Sequence, residues 1–255
     1  MSPEPHADDV LAAELARRAG ALLVGLRSRR VAEGLDPKAL KDEGDARAND
    51  LILVGLAERL DAGDGVLSEE AKDDLTRLDA ERVWIVDPLD GTREFGEPPR
   101  TDWAVHVALT VDGRPTAGAV ALPALDVVLG THPIPAPPAP MPDRPRVVVS
   151  RTRPPAAATW LAERLDGELV EMGSAGAKAM AVVRGEVDVY AHSGGQYEWD
   201  SCAPVAVALA AGMHASRIDG SPLVYNNADP YLPDLLICRP ELALPALDAL
   251  ASFEG

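Results

Sequence analysis

A chain of 255 residues that is 47% hydrophobic and 25% charged is long enough for one large α/β unit or two packed halves, and its balance excludes a disordered protein. Its 41 acidic residues against 24 basic ones leave a formal charge of -17, which excludes a surface built for nucleic acid polymers, since phosphate backbones need clustered Lys and Arg. An acidic protein that handles a small phosphate ester needs cations to offset the repulsion, and a divalent metal supplies them. Cys202 and Cys238 are the only cysteines, too few for a disulfide framework, and are expected to be reduced, buried fillers. The start, Met1 to Asp9, lacks the basic and apolar regions of a signal peptide, and no apolar run reaches the roughly 20 residues of a membrane span. A cytoplasmic location without membrane contact is expected.

From Asp8 onward, Leu11, Leu15, Ala19, Leu22 and Leu26 share one helical stripe, which predicts a packing helix capped by Asp8 or Asp9. A second helix is predicted over Ala48 to Leu60 after the polar segment LKDEGDARAND, with Ile52, Leu56 and Leu60 on one face. Two short apolar runs then end in acids: GVLSEE at Gly65 to Glu70, and RVWIVDPLDG at Arg82 to Gly91. Val83 to Val86 is continuously apolar, as in a strand buried on both faces. Trp103 to Val111 and Thr116 to Leu122 read as a hairpin turning at Asp112-Gly113-Arg114, and His106 reads as one of its strand residues. The proline-dense stretch from His132 to Pro145 marks a connection, so residues 1–130 and 131–255 are expected to form two halves.

The second half opens with the strand PRVVVS and a helix around Ala156 to Leu165. A glycine-bearing turn at GSAGAK, a helix through Met180 to Arg184 and the strand VDVYAH follow. SCAPVAVALAAGM reads as a buried helix with Asp200 at its amino terminus and Pro204 in the tolerated first turn, and LLICR as a closing strand.

The sharpest local signal is WIVDPLDGT, Trp84 to Thr92, where two carboxylates leave the end of a buried strand. Pro88 fixes the backbone between them, so Asp87, the Leu89 carbonyl and Asp90 can converge as hard oxygen ligands for magnesium. Gly91 permits close backbone approach, and a helix beginning at Thr92 would turn free amides toward a phosphate. Alone, D-P-x-D-G-T reads as a capped turn in which Asp90 and Thr92 bond to local amides. Its company changes the balance, because Glu69 also follows an apolar run and Asp200 begins an apolar helix. Clustered acids in a low-dielectric site repel one another, and metal ions relieve that repulsion.

SEE at Ser68 to Glu70, WIVDPLDGTREF at Trp84 to Phe95 and EWDSCAPVAVALAAG at Glu198 to Gly212 resemble the inositol-monophosphatase superfamily in order and spacing. The resemblance implies a layered αβαβα sugar-phosphatase-like α/β fold with the site between the halves. It implies on the order of two or three magnesium ions per site. Glu69, Asp87 and the Leu89 carbonyl would hold the first; Asp87, Asp90 and Asp200 would hold the second. Thr92 and Asp45, assisted by Glu69, would help deprotonate the attacking water. The family usually shows Thr before that Asp where this chain has EGD, and Asp42 and Asp50 compete for the role. The phosphate would lie against Glu69, Leu89, Asp90, Gly91, Thr92 and Asp200.

Within the superfamily, DPLDGTREF with VSRTR, GSAGAK and WDSCAP is similar to the CysQ-type 3'(2'),5'-bisphosphate nucleotidases. Ser150, Arg151, Ser174 and Lys178 would then meet the nucleotide, and many relatives have His where this chain has Arg153. That branch implies hydrolysis of 3'-phosphoadenosine 5'-phosphate, or its sulfated form, to AMP and phosphate in sulfate assimilation, with dimerisation and lithium inhibition. The alternatives are an inositol-1-monophosphatase or fructose-1,6-bisphosphatase with the same metal core, or a sensor that kept the fold without turnover.

Overall fold

The computed structural model describes residues 7–34, 36–136 and 139–253. The first helix, α1 (Ala7–Ala32), turns Leu15, Ala19 and Leu26 inward with Ala12, Ala16 and Leu23, while Leu11 and Leu22 pack at the edge of that core. The second, α2 (Pro37–Asp61), starts well before the expected Ala48. Asp36 accepts from the Lys38 and Ala39 amides and Pro37 fits the first turn, so the polar segment expected as a lead-in is itself helical. Polarity misled there because only Leu40, Gly44, Ala48 and Asn49 of that stretch face inward.

The first sheet contains β1 (Gly65–Ser68) and β2 (Arg82–Asp90), the short helix α3 (Thr92–Phe95), then β3 (Ala104–Val111), β4 (Arg114–Leu122) and β5 (Val127–Gly130). Its strands lie in chain order, with β1 parallel to β2 and the other neighbours antiparallel. The expected hairpin is present, and β5 adds an edge strand where no element was expected.

The second sheet is built from β6 (Arg146–Ser150), α4 (Ala156–Arg164), β7 (Glu168–Met172), α5 (Ala175–Val183), β8 (Val189–Tyr197), α6 (Glu198–Ala210), β9 (His214–Ser216), β10 (Tyr231–Cys238) and α7 (Ala243–Leu250), in strand order β7-β6-β8-β10-β9. The expected glycine turn at GSAGAK is mostly the start of α5, because the Ser174 hydroxyl accepts from the Ala177 amide and caps it. Pro204 lies inside α6, not in its first turn, where it removes the amide that would bond the Asp200 carbonyl.

Helices α1 and α2 cover one face of the first sheet, α5 and α6 fill the space between the sheets, and α4 and α7 cover the far side of the second. The result is the expected αβαβα layering. Because α6 is sandwiched between two apolar faces, its residues Cys202 to Ala208 are buried all round. Cys202 and Cys238 are both free and buried. No helix among the described residues is long and apolar enough to cross a membrane.

Candidate active site

The apolar run Val83–Val86 is buried on both faces of the first sheet, and the carboxylates appear where it ends. Residues three apart on a regular strand point to opposite faces, yet here Asp87 pairs with His106 and Asp90 with Ala104, so β2 carries one residue more than its partner. That bulge, at Pro88-Leu89, brings both carboxylates onto one side. Gly91 follows with φ of 81°, and a Cβ there would stand 2.7 Å from Ser174 Cβ, so glycine is required where β2 turns into α3.

Asp200 reaches the same point from the first turn of α6, with its carboxylate accepting from the Tyr197 amide at 2.7 Å. Asp87, Asp90 and Asp200 each offer an oxygen within 4.8 Å of the others. Asp87 is buried, and its Oδ1 accepts from the Leu89 amide at 3.0 Å. Burial and the neighbouring Glu69, Asp90 and Asp200 carboxylates push Asp87 well above the usual range. Burial and Asp90 raise Asp200 to about 7. Burial, Asp200 and Asp90 raise Glu69 to about 7, against a hydrogen bond with Asp87. This is an all-oxygen, charge-crowded donor set, and it fits a hard divalent cation.

Asp90 is the exception. Burial alone would raise it, but His106, the Gly176 amide and Lys178 hold it below the usual carboxylate range. Its Oδ1 accepts from the Ala175 amide at 3.1 Å and its Oδ2 from the Gly176 amide at 2.6 Å. His106 is a strand residue, as expected, but the register of β2 with β3 brings its fully buried ring beside the acids. Nε2 lies 3.2 Å from Asp90 Oδ2, at ion-pair distance but off the line of an N–H bond. Burial opposes its charged form, yet attraction to Asp90 raises its pKa overall. The sequence carried no direct signal for this placement, since His106 stands opposite Asp87 through the pairing of β2 with β3, which the Asp112-Gly113 turn between β3 and β4 does not set.

Asp45 faces Glu69 and Glu70 from α2, and burial with those two charges raises it to about 8. Of its competitors, Asp42 is exposed and bonded to Lys38, and Asp50 is exposed. The Thr92 hydroxyl donates to the Leu89 carbonyl at 3.1 Å rather than to Asp45. Glu69 sits just past β1, with its amide on the Val86 carbonyl.

The nucleotide candidates are more dispersed. Arg151 is engaged by Glu94 at 2.6 Å and Glu97 at 2.7 Å. Lys178 is buried inside α5 rather than presented on a glycine loop, and its ammonium donates to the carbonyls of Gly173 and Ser174. Ser174 is buried and spends its hydroxyl on the cap. Ser150 lines a cavity of about 280 Å³ with Arg153, His192 and Gly194. Among the described residues the Arg153 guanidinium has no carboxylate partner. Sequence reasoning also missed Glu198, whose carboxylate accepts from the Asn226 and Asn227 amides at 2.7 and 2.8 Å and fixes the approach to Asp200.

A two-sheet layered fold with an acidic site at a strand bulge and a helix start defines a metal-assisted phosphatase architecture, and the chain belongs to the inositol monophosphatase family, whose model matches residues 6–132 and 145–243. It is 56% identical to the 3'-phosphoadenosine 5'-phosphate phosphatase of Mycobacterium tuberculosis, over 91% of this chain and 89% of that protein. It is 30% identical to the 3'(2'),5'-bisphosphate nucleotidase CysQ of Escherichia coli, over 74% of this chain and 80% of that protein. Among solved structures, CysQ from Bacteroides thetaiotaomicron superposes with a TM-score of 0.78 at 26% identity, covering 91% of this chain and 97% of that one.

Proposed function

We propose that the protein hydrolyses the 3'-phosphate of 3'-phosphoadenosine 5'-phosphate, and of its sulfated form, to release phosphate, with magnesium as its cofactor. The observation that carries this reading is the convergence of Asp87, Asp90 and Asp200 in a chain 56% identical to a phosphatase of that name. Asp87, Asp90 and Asp200, joined by Glu69 and the Leu89 carbonyl, would hold magnesium, which when bound neutralises phosphate charge and acidifies the attacking water. Thr92, whose hydroxyl proton is committed to Leu89, has lone pairs left to orient that water. Asp45, which faces Glu69 and Glu70 from α2, would take up its proton with Glu69 assisting.

The non-reacting 5'-phosphate would sit toward the cavity of Ser150 and Arg153, where a free guanidinium is available. Ser174 and Lys178 would shape the floor between that cavity and the carboxylates: Lys178 bears electrostatically on Asp90 on one side and His192 on the other. Arg151 would set the rim through Glu94 and Glu97. The role supports removal of a by-product of sulfate activation within the cytoplasm.

The test is phosphate release from 3'-phosphoadenosine 5'-phosphate, inositol 1-phosphate and fructose 1,6-bisphosphate, each with magnesium and with chelator. The nucleotide should be preferred, and chelator should abolish release until magnesium is restored. Preference for inositol 1-phosphate would assign the chain to the sugar-phosphatase branch, and no release from any substrate would make it a sensor.

A further inference from the structure

Asp90 and Asp200 reach the metal candidate site from different elements, β2 and α6, and no hydrogen bond among the described residues joins the two carboxylates directly. The His106 side chain contacts both segments. Its Nδ1 lies 3.0 Å from the carbonyl of Trp199, the residue before Asp200, and because a carbonyl only accepts, Nδ1 is the donor. Its other nitrogen stands 3.2 Å from Asp90 Oδ2. The ring is fully buried between them, and the opposing backbone at Gly176 leaves it room only because that residue has no side chain: a Cβ there would collide with Nε2. Asp87 Oδ2 is also within 4.0 Å of the ring.

We infer that His106 is a positioning residue that fixes the spacing of Asp90 and Asp200 by lying at ion-pair distance from the Asp90 carboxylate with one nitrogen and hydrogen-bonding the first turn of α6 with the other. The inference rests on the metal reading above. A backbone carbonyl and a carboxylate at opposite ends of a rigid ring leave neither segment free to slide along the other. Groups that orient metal ligands from behind typically change affinity about 10- to 100-fold when removed.

The geometry separates the two contacts experimentally, since an Asn amide falls near the position of Nδ1 and a Gln amide near that of Nε2. Magnesium is titrated into the metal-free protein, followed by the rise in Tm and by tryptophan fluorescence, for wild type, His106→Leu, His106→Asn and His106→Gln. Wild type should bind. His106→Leu should bind about 10- to 100-fold more weakly, with kcat recovering to within a few-fold at saturating magnesium. His106→Asn and His106→Gln, each keeping one contact, should fall between. Equal magnesium affinity in wild type and His106→Leu, with wild type binding, overturns the role of His106 and leaves the metal site standing. Wild type that ignores magnesium overturns the metal reading and this inference with it. Should His106→Leu fail to fold, wild-type affinity in both amide variants is the overturning result, and weakened affinity in both sustains the inference.

Discussion

The Gly176 amide donates to Asp90 Oδ2 at 2.6 Å, which seats the first turn of α5 on the carboxylate that ends β2. The second sheet's helical layer is thereby registered against the first sheet's acidic strand end. Glycine is needed at 176 because a Cβ would meet both Asp90 Oδ2, at 3.0 Å, and the buried ring of His106. Gly176→Ala should therefore push the two segments apart, with a loss of stability of about 1–3 kcal/mol, as expected for overpacking, and a lower phosphatase rate. Urea unfolding with parallel turnover measurement checks both.

Within the Asp87, Asp90 and Asp200 cluster, Asp87 has the least access to solvent, and Glu69, Asp90 and Asp200 all raise its proton affinity. Asp87→Asn keeps the shape and removes the charge. It should lower turnover by several orders of magnitude, because one fewer anion remains to hold the cations that the reaction requires. In the absence of metal the same change should raise Tm, as it relieves repulsion within the cluster. A rate near wild type would move the metal site elsewhere.

The fold was legible where burial and sequence pattern coincide. Val83–Val86 and the Asp112-Gly113 hairpin could be read directly, since strands buried on both faces and tight turns leave a local imprint. The start of α2 could not, because its first turns are solvated and their acids look like a loop. The three converging aspartates stood out because acids at the ends of apolar runs are costly without a purpose. His106 and Glu198 did not, since their roles depend on contacts 93 and 28 residues away. Lys178 does lie on the first turn of the helix that follows Gly173, but its ammonium is drawn inside rather than presented outward, and Gly176 is small because it packs against His106.

Stability of the metal-free protein should depend on pH with a definite sign. Asp45, Glu69 and Asp200 bind protons more tightly when folded, at about 8, 7 and 7, than as free carboxylates near 4. The folded state therefore holds more protons than the unfolded one between those limits, and stability falls as pH rises from about 4 to 8. Asp87, raised as well, adds to the same direction, while the lowered pKa of Asp90 acts only below the ordinary carboxylate range. His192, which burial holds down to about 4, runs the other way between about 4 and 6.5 and offsets part of the fall. Tm in chelator should drop across this interval. Magnesium should restore it, with the larger rise at the higher pH because metal and protons compete for the same oxygens. A Tm that climbs steadily from pH 5 to 8 in chelator would contradict the crowding of these acids.

Substrate preference separates Lys178 from Arg153. The ammonium of Lys178 is buried and committed to the Gly173 and Ser174 carbonyls, while the Arg153 guanidinium is exposed at the cavity it shares with Ser150. A charge-assisted contact to a second phosphate contributes on the order of 1.5–3 kcal/mol, so losing it costs at least about tenfold in kcat/KM. Arg153→Ala should impose that loss on 3'-phosphoadenosine 5'-phosphate and leave inositol 1-phosphate, which has no second phosphate to hold, within about twofold. Lys178→Met should instead strand two carbonyls and lower Tm, and it should reduce turnover of both substrates together. The check is kcat/KM for each variant on each substrate, with Tm alongside. If Lys178→Met discriminates between the substrates and Arg153→Ala does not, the second phosphate is held from α5, and the cavity beside Ser150 has no part in recognition.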